Sequence, residues 1–180
     1  MRRDAAANRD RLISAAEGVF AAMGTSATLE DVARAAGVGP ATLYRRFANK
    51  DALVREVLSA FFLRLIDLAK AAEEAPPEHC VDVFLNTVGA ELADKAGLAA
   101  DVWGSLAPHP LVEELRSRSA ALLSRAQRAG AIRDAVTQSD IAAAVWAVRG
   151  VVQASRAGVG GLDDGAWKRH LDTVLRGLHT

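Results

Sequence analysis

The chain has 180 residues, of which 51% are hydrophobic and 24% are charged, with 22 Lys and Arg against 22 Asp and Glu. This hydrophobic content excludes an intrinsically disordered chain, and the length fits one domain or two small ones that share a helix. No apolar run free of charges reaches membrane-spanning length, and the single cysteine, Cys80, excludes an internal disulfide and an all-cysteine metal site. The first residues, MRRDAAANRD, lack the apolar core of a secretory signal, so we expect a cytoplasmic protein.

Charge is unevenly distributed along the chain. Residues 1–55 carry nine Lys and Arg against six Asp and Glu, a net charge of +3, whereas residues 56–180 have a net charge of −3. A basic first third favours a polyanionic partner for that part of the chain. An ordinary solvated surface is the alternative explanation of the same asymmetry.

Apolar periodicity predicts helices throughout, about nine in all, beginning with one over about residues 9–23. Its apolar stripe consists of Leu12, Ala16, Val19, Phe20 and Met23. Thr28 and Asp31 have the spacing of a capping box at the start of a second, short helix that ends at Gly37. Pro40 opens a third helix, because proline is favoured at the first helical position.

The later helices are longer, and prolines or glycines separate them. They are predicted over about residues 50–75, 78–96, 110–129, 138–157 and 163–178. Thr137 and Asp140 form a second predicted capping box. The segment Leu98–Leu106 is short and has no clear pattern of its own.

The second and third helices have the features of a helix-turn-helix, in which the second helix lies in the major groove of DNA. Gly37 allows the tight turn between them, because glycine adopts positive φ without strain. Arg45 and Arg46 offer donors suited to guanine or phosphate, and Tyr44 is expected to bury its ring and direct its hydroxyl to a phosphate. Lys50, at the start of the next helix, favours a phosphate as well. A helical hairpin with solvated arginines is the alternative.

The sequence motifs of this region are more specific for a protein family than the spacing of its helices alone. The segment LEDVARAAGVGPATLYRRFANKDALVREVL, with its words A-x-x-A-G-V, T-L-Y-x-x-F and N-K-x-x-L, closely resembles the DNA-binding region of the tetracycline-repressor (TetR) family of transcriptional regulators. The resemblance covers about residues 9–60. It implies an all-α fold with a helix-turn-helix domain over 1–55 and a larger helical domain over 56–180, which binds a small-molecule effector and forms the homodimer.

The resemblance also implies roles for individual residues. Phosphate contacts are implied for Thr42, Tyr44 and Lys50. Positions that face bases or the groove wall are matched by Pro40, Ala41, Arg45 and Arg46. Thr28 matches a hydroxyl that caps the second helix and touches the DNA backbone. Many members have serine where this chain has Gly39, so the hydroxyl contact of that position with phosphate is lost here, although glycine still tolerates the cap geometry.

The last two helices carry wide apolar faces that fit either an ordinary core within one chain or pairing with a second copy. We expect the second, with a dimer interface formed by Ile141, Val145, Val148, Val152, Leu171, Val174, Leu175 and Leu178. Gly150 would permit close helix approach there. Two reading helices about 34 to 36 Å apart then require a near-palindromic DNA operator.

The sequence of the larger domain indicates less about its function. Its aromatic residues fit either core packing or an effector site. The candidate pocket residues are Phe62, Phe84, Trp103, Leu106, Trp146 and Arg149. Arg149 follows Trp146 by three and shares its face, and an exposed guanidinium is expected, since a buried one needs an anionic partner.

No motif of enzymatic, metal or cofactor chemistry occurs in the sequence, so the prediction is a regulator that is not an enzyme, with no catalytic residue, cofactor or metal and no membrane partner. A helical small-molecule-binding or enzymatic bundle with a merely structural helix-turn-helix is the alternative. The uninterrupted pattern of the fourth helix, from Lys50 to about Ala75, suggests that it transmits a change at the effector site to the reading helices.

Overall fold

The computed structural model describes residues 2–94 and 106–180, without the side chains of residues 2–8 and of Thr25. The described residues contain eight α-helices, and an isolated bridge between Ile132 and His179 is their sole β pairing. The helices are α1 (Arg2–Met23), α2 (Leu29–Ala36), α3 (Pro40–Arg46), α4 (Lys50–Glu73), α5 (Cys80–Asp94), α6 (His109–Arg128), α7 (Gln138–Arg156) and α8 (Ala166–Leu178). The predicted all-α fold is therefore confirmed, while most of the uncertain segment Leu98–Leu106, with Trp103, lies outside the described residues.

The helix ends within the described residues agree with the prediction to within two residues, except that α8 begins at Ala166 rather than near residue 163 and that α1 starts early. That helix begins at Arg2 rather than near residue 9, although its apolar stripe begins only at Leu12. The first residues are rich in alanine and arginine, which favour helix without any apolar stripe. Both predicted capping boxes are present; in the second, the backbone N–H of Thr137 donates to Oδ2 of Asp140 at 2.7 Å.

The chain divides into two compact units; one boundary lies within α4, between Phe62 and Leu63, and the described residues 106–109 also belong to the first unit. The first unit contains α1, α2 and α3 together with the first half of α4. Its core consists of apolar side chains that are at most 1% exposed, among them Leu12, Phe20, Val32, Leu43, Leu53, Val57 and Phe61. Helix α2 packs on both α1 and α3, so the short α3 is held from its inner side.

The second unit contains the rest of α4 and the helices α5 to α8, among which α5, α7 and α8 pack on one another. Helix α5 approaches α8 closely at Gly89, because a Cβ atom there would lie 2.5 Å from Cζ3 of Trp167. Only a residue without a side chain fits this α5–α8 contact. The end of α4 is capped by Arg125, which donates to the carbonyl of Glu73 at 2.5 Å and to that of Ala75 at 2.8 Å.

The chain end is fixed to this unit by His179. Its Nε2 lies 2.9 Å from Oδ1 of Asp82 on α5, and its Nδ1 lies 3.0 Å from the carbonyl oxygen of Ala131. The hydroxyl of Thr180 donates to the carbonyl of Gly130 at 3.0 Å. These bonds join α5, the α6–α7 connection and the end of α8.

The apolar faces that were expected at a dimer interface lie largely inside one chain. Six of the eight predicted residues are at most 8% exposed within the single chain, namely Ile141, Val148, Val152, Leu171, Leu175 and Leu178. Val145 and Val174 are half-buried. The alternative of an ordinary core therefore describes these faces, because periodicity marks a buried stripe without saying which neighbour buries it.

None of the helices in the described parts of the chain is both long enough and apolar enough to cross a membrane.

The Gly89–Trp167 contact predicts the effect of one added methyl group. We expect Gly89→Ala to lower the free energy of unfolding by about 1–3 kcal/mol, because the Trp167 ring must move out of a close-packed site. Gly18→Ala is the control, since Gly18 is exposed in α1 and a methyl group added there would meet no atom within 4 Å. That control should gain about 0.5–1 kcal/mol from helix propensity. Denaturant unfolding checks both, and equal stabilities would contradict the packing argument.

Candidate nucleic-acid interface

The turn between α2 and α3 is built by specific hydrogen bonds at the end of α2. Gly37 has φ +66°, and its N–H donates to the carbonyl of Arg34 at 3.2 Å. The N–H of Val38 donates to the carbonyl of Ala33 at 3.0 Å. The two bonds form a Schellman motif, which ends a helix within two residues and requires the left-handed conformation at the glycine. The predicted role of Gly37 is confirmed.

Helix α3 has one buried and one exposed face. Leu43 is fully buried and Phe47, just after the helix, is 6% exposed. The predicted base-facing residues lie on the solvent side, and all of Pro40, Ala41, Arg45 and Arg46 are exposed. The burial of the inner face therefore fixes which side of α3 is presented to a partner.

The two arginines of α3 give this face its charge. Nη2 of Arg45 donates to Oγ1 of Thr42 at 3.4 Å, and the guanidinium of Arg46 lies 5.9 Å from the ring centroid of Phe47. Neither forms an ion pair with any side chain that the structure describes. Their positive charge is therefore not neutralised within the described residues and can serve an anionic partner.

The remaining predicted contacts surround α3. Gly39 is the exposed N-cap residue of α3 and makes no side-chain cap bond, as expected where serine is replaced. Lys50 is half-buried at the first position of α4. Asn49 caps α4, as Oδ1 accepts from the backbone N–H of Ala52 at 2.9 Å.

Two hydroxyls with implied contacts to DNA are bonded to carboxylates. Oγ1 of Thr28 accepts from the N–H of Asp31 at 3.1 Å and donates to Oδ2 of Asp31 at 2.6 Å, and this bond lowers the pKa of Asp31. The hydroxyl of Tyr44 donates to Oε1 of Glu30 at 2.5 Å. The expectation that Tyr44 buries its ring is wrong, since the residue is 47% exposed on the outer side of α3.

Glu30 is the residue near this face that the sequence reasoning missed. It lies in the first turn of α2, where acidic residues commonly serve the helix dipole, so its composition alone gave no functional signal. The contact joins residues 14 positions apart across the turn between α2 and α3, and no pattern in the sequence indicates it.

The comparisons with known proteins agree with this arrangement. Residues 12–57 match the family model "Bacterial regulatory proteins, tetR family", and residues 76–180 match "Transcriptional regulator SbtR-like, C-terminal domain". The chain belongs to the TetR family. The first match contains the whole of α2 and α3, so the helix-turn-helix described above is the DNA-binding element of a TetR-family regulator. No curated protein matches the sequence.

Solved structures of TetR-family proteins resemble the whole chain. A TetR transcription regulatory protein from Mycobacterium vanbaalenii is 29% identical, with a TM-score of 0.72 and 99% of each chain covered. A TetR transcriptional regulator from Streptomyces coelicolor is 30% identical, with a TM-score of 0.69, covering 95% of this chain and 98% of that one. A TetR-family regulator from Marinobacter aquaeolei shares the fold at 18% identity, with a TM-score of 0.74 and 99% of each chain covered.

The residues predicted to line an effector site of this TetR-family chain are distributed over both units. Phe62 is buried and Leu106 half-buried in the first unit, while Phe84 is 3% exposed in the second. Arg149 is 5% exposed, so the expectation of an exposed guanidinium is wrong. Its Cζ lies 5.2 Å from the ring centroid of Trp146, which is itself 53% exposed, and the broad indole on the same helix face covers the cation.

The described part of this TetR-family chain contains no group of three metal-binding side chains. Cys80 is fully buried, its Sγ lies 3.4 Å from the carbonyl oxygen of Leu122, and burial raises the pKa of its thiol. A buried thiol of this kind packs as a small apolar side chain.

Proposed function

We propose that this TetR-family chain is a repressor that binds a near-palindromic DNA operator as a homodimer in the cytoplasm and is released by a small-molecule effector. The observation that carries the proposal is the exposed face of α3, whose arginines have no ion-pair partner among the described side chains while the opposite face is buried. Such a helix fits the major groove, which is about 12 Å wide. Arg45 and Arg46 are then placed to reach base edges, and Thr28, Thr42, Tyr44 and Lys50 the phosphates.

Two substitutions distinguish the proposed phosphate and base contacts. Lys50→Ala should weaken binding to all duplexes about equally and reduce the salt slope of the affinity by about one unit, because one phosphate contact is lost. Arg45→Ala should relax the preference at one base step, at a cost of roughly 1–3 kcal/mol, because a bidentate base contact is lost. Selection of bound duplexes from random DNA, followed by titration over a range of salt, measures both.

The same selection tests the proposal as a whole. It should return a near-palindrome whose half-sites are one helical turn, about 34 to 36 Å, or a multiple of it apart. A uniform loss of affinity from Arg45→Ala would make this residue a phosphate contact. Recovery of no preferred duplex at low salt would exclude sequence-specific DNA binding.

We place the homodimer interface of the proposal on the outward face of α7, because most of the residues expected there from the sequence are buried within the single chain. The outer α7 stripe consists of Ala143, Trp146, Ala147 and Gly150, spaced at i, i+3, i+4 and i+7, and all four are exposed or half-buried. A Cβ atom at Gly150 meets no atom within 4 Å in the single chain. Small residues beside one large exposed indole suit close approach of a second helix. Val145 and Val174 flank this stripe in the proposal.

The proposed interface predicts a change of oligomeric state. Gly150→Arg should convert a dimer into a monomer, because the new side chain projects from the outer α7 stripe at a point where a Cβ atom meets no atom of its own chain within 4 Å. Gly18→Arg is the matched control, since Gly18 has the same open space on α1. Sedimentation equilibrium measures the mass of each variant. A dimer that survives Gly150→Arg would place the interface elsewhere.

For the effector, we infer a site in the helical second unit near Phe84 and Arg149, both of which that unit buries. Helix α4 is continuous from Lys50 to Glu73 and contributes to both units, which supports it as the element that transmits the effector signal. An effector shifts DNA binding only by as much as its affinities for the two conformations differ.

The coupling has a measurable consequence. A metabolite that raises the melting temperature of the protein in a thermal-shift screen should lower DNA affinity about 5- to 150-fold. By linkage, operator DNA should lower the affinity for that metabolite by the same factor. A metabolite that binds tightly but leaves DNA affinity unchanged would not be the effector.

A further inference from the structure

We propose that Glu30 competes with DNA for the hydroxyl of Tyr44, so that Glu30 lowers the affinity of this protein for every DNA sequence. The inference rests on the proposed function, because it assumes that Tyr44 reaches a phosphate when the protein binds DNA. It assigns to an acidic residue of α2 a role in setting how tightly the reading helix binds.

The geometry of the pair makes the two bonds of Tyr44 mutually exclusive. The phenol carries one hydrogen, and in the structure it is donated to Oε1 of Glu30 across 2.5 Å. The bond lowers the pKa of Glu30 and raises the pKa of Tyr44, as expected when a phenol donates to a carboxylate. Donation to a phosphate therefore requires that this charge-assisted bond be broken.

Glu30 has no cationic partner among the described side chains, unlike its neighbour Asp31. The neighbouring Asp31 receives the bonds of the capping box and lies 3.1 Å from Nη1 of Arg34. Glu30 forms no ion pair with a cation among the described side chains. Once Tyr44 turns to a phosphate, the carboxylate of Glu30 loses the hydrogen bond from the phenol and keeps its charge close to that phosphate, and this repulsion opposes binding regardless of base sequence.

The two acceptors for Tyr44 are alike in strength, because both carry negative charge. The net contribution of the hydroxyl to DNA binding is therefore small while Glu30 is present, and it becomes larger when the carboxylate is replaced by a neutral amide. The effect of removing the hydroxyl should thus depend on the residue at position 30. The opposite view, that Glu30 holds Tyr44 in the orientation that phosphate needs, predicts losses instead.

A double-mutant cycle on the full chain separates the two views. Glu30→Gln should bind both an operator duplex from the selection and a random duplex about three- to tenfold more tightly. Tyr44→Phe should weaken binding about three- to tenfold in the Glu30→Gln background, and clearly less in the wild-type background. Glu78→Gln, an exposed change of equal charge in the second unit, should leave DNA affinity unchanged. Weaker binding by Glu30→Gln, or equal effects of Tyr44→Phe in both backgrounds, would overturn the proposal.

A spectroscopic readout tests the hydroxyl itself, because Tyr44 is the only tyrosine of the chain. With tyrosine labelled by ¹³C at the ζ carbon, a single resonance reports the acceptor of the hydroxyl. The resonances of the wild type and Glu30→Gln should differ in the free proteins and coincide in the DNA complexes, where both hydroxyls face phosphate. Identical resonances in the free proteins would refute the Glu30–Tyr44 bond without any reference to DNA. Resonances that stay different in the complexes would refute the competition alone. A wild-type protein that binds no duplex would refute the proposed function, and the competition with it.

Discussion

The interface depends on the burial of one side of α3 by the helices beneath it. A helix of seven residues is far too short to be stable alone in water, since nucleation costs more than so few hydrogen bonds return. Leu43 and Phe47 supply the missing stability by burying apolar surface against the first unit. The same burial fixes the rotation of the helix about its axis, so the side chains of the arginines and of Tyr44 face outward. Opposite faces of one short helix therefore serve folding and the proposed recognition of DNA.

Much of this arrangement could be predicted from the sequence, because it rests on local rules. The Schellman turn needs a glycine at Gly37, and the capping box needs a hydroxyl and a carboxylate three residues apart, as at Thr28 and Asp31. Such requirements concern residue types at a fixed spacing, which an amino-acid sequence shows directly. The words shared with the TetR family added the functional meaning of the same positions, which spacing alone left open.

The sequence could not show which neighbouring element covers each side of a helix. Helix α7 carries apolar or small residues almost all round, so periodicity identified Ile141 and Val148 as an apolar face without showing that the chain's own helices bury it. Arg149 was expected in solvent because arginine rarely is buried, yet the indole of Trp146 lies over it. The bond between Tyr44 and Glu30 joins two helices across a turn, and a single sequence gives no register for such a contact.

The acidic first turn of α2 affects both the stability of that helix and the attraction of this region to a polyanion. Negative charge at a helix N-terminus is stabilising, because it lies against the partial positive charge of the unpaired N–H groups. Asp31 meets this demand through the capping box and is neutralised further by Arg34, so its charge is largely contained. Glu30 lies in the same turn but on the side that faces Tyr44, and its carboxylate accepts the hydroxyl of that residue. A carboxylate at that point weakens attraction to any polyanion, and moderate affinity suits the proposed repressor, which an effector releases from DNA. The proposed competition for the Tyr44 hydroxyl limits affinity without altering the residues that are proposed to reach the bases.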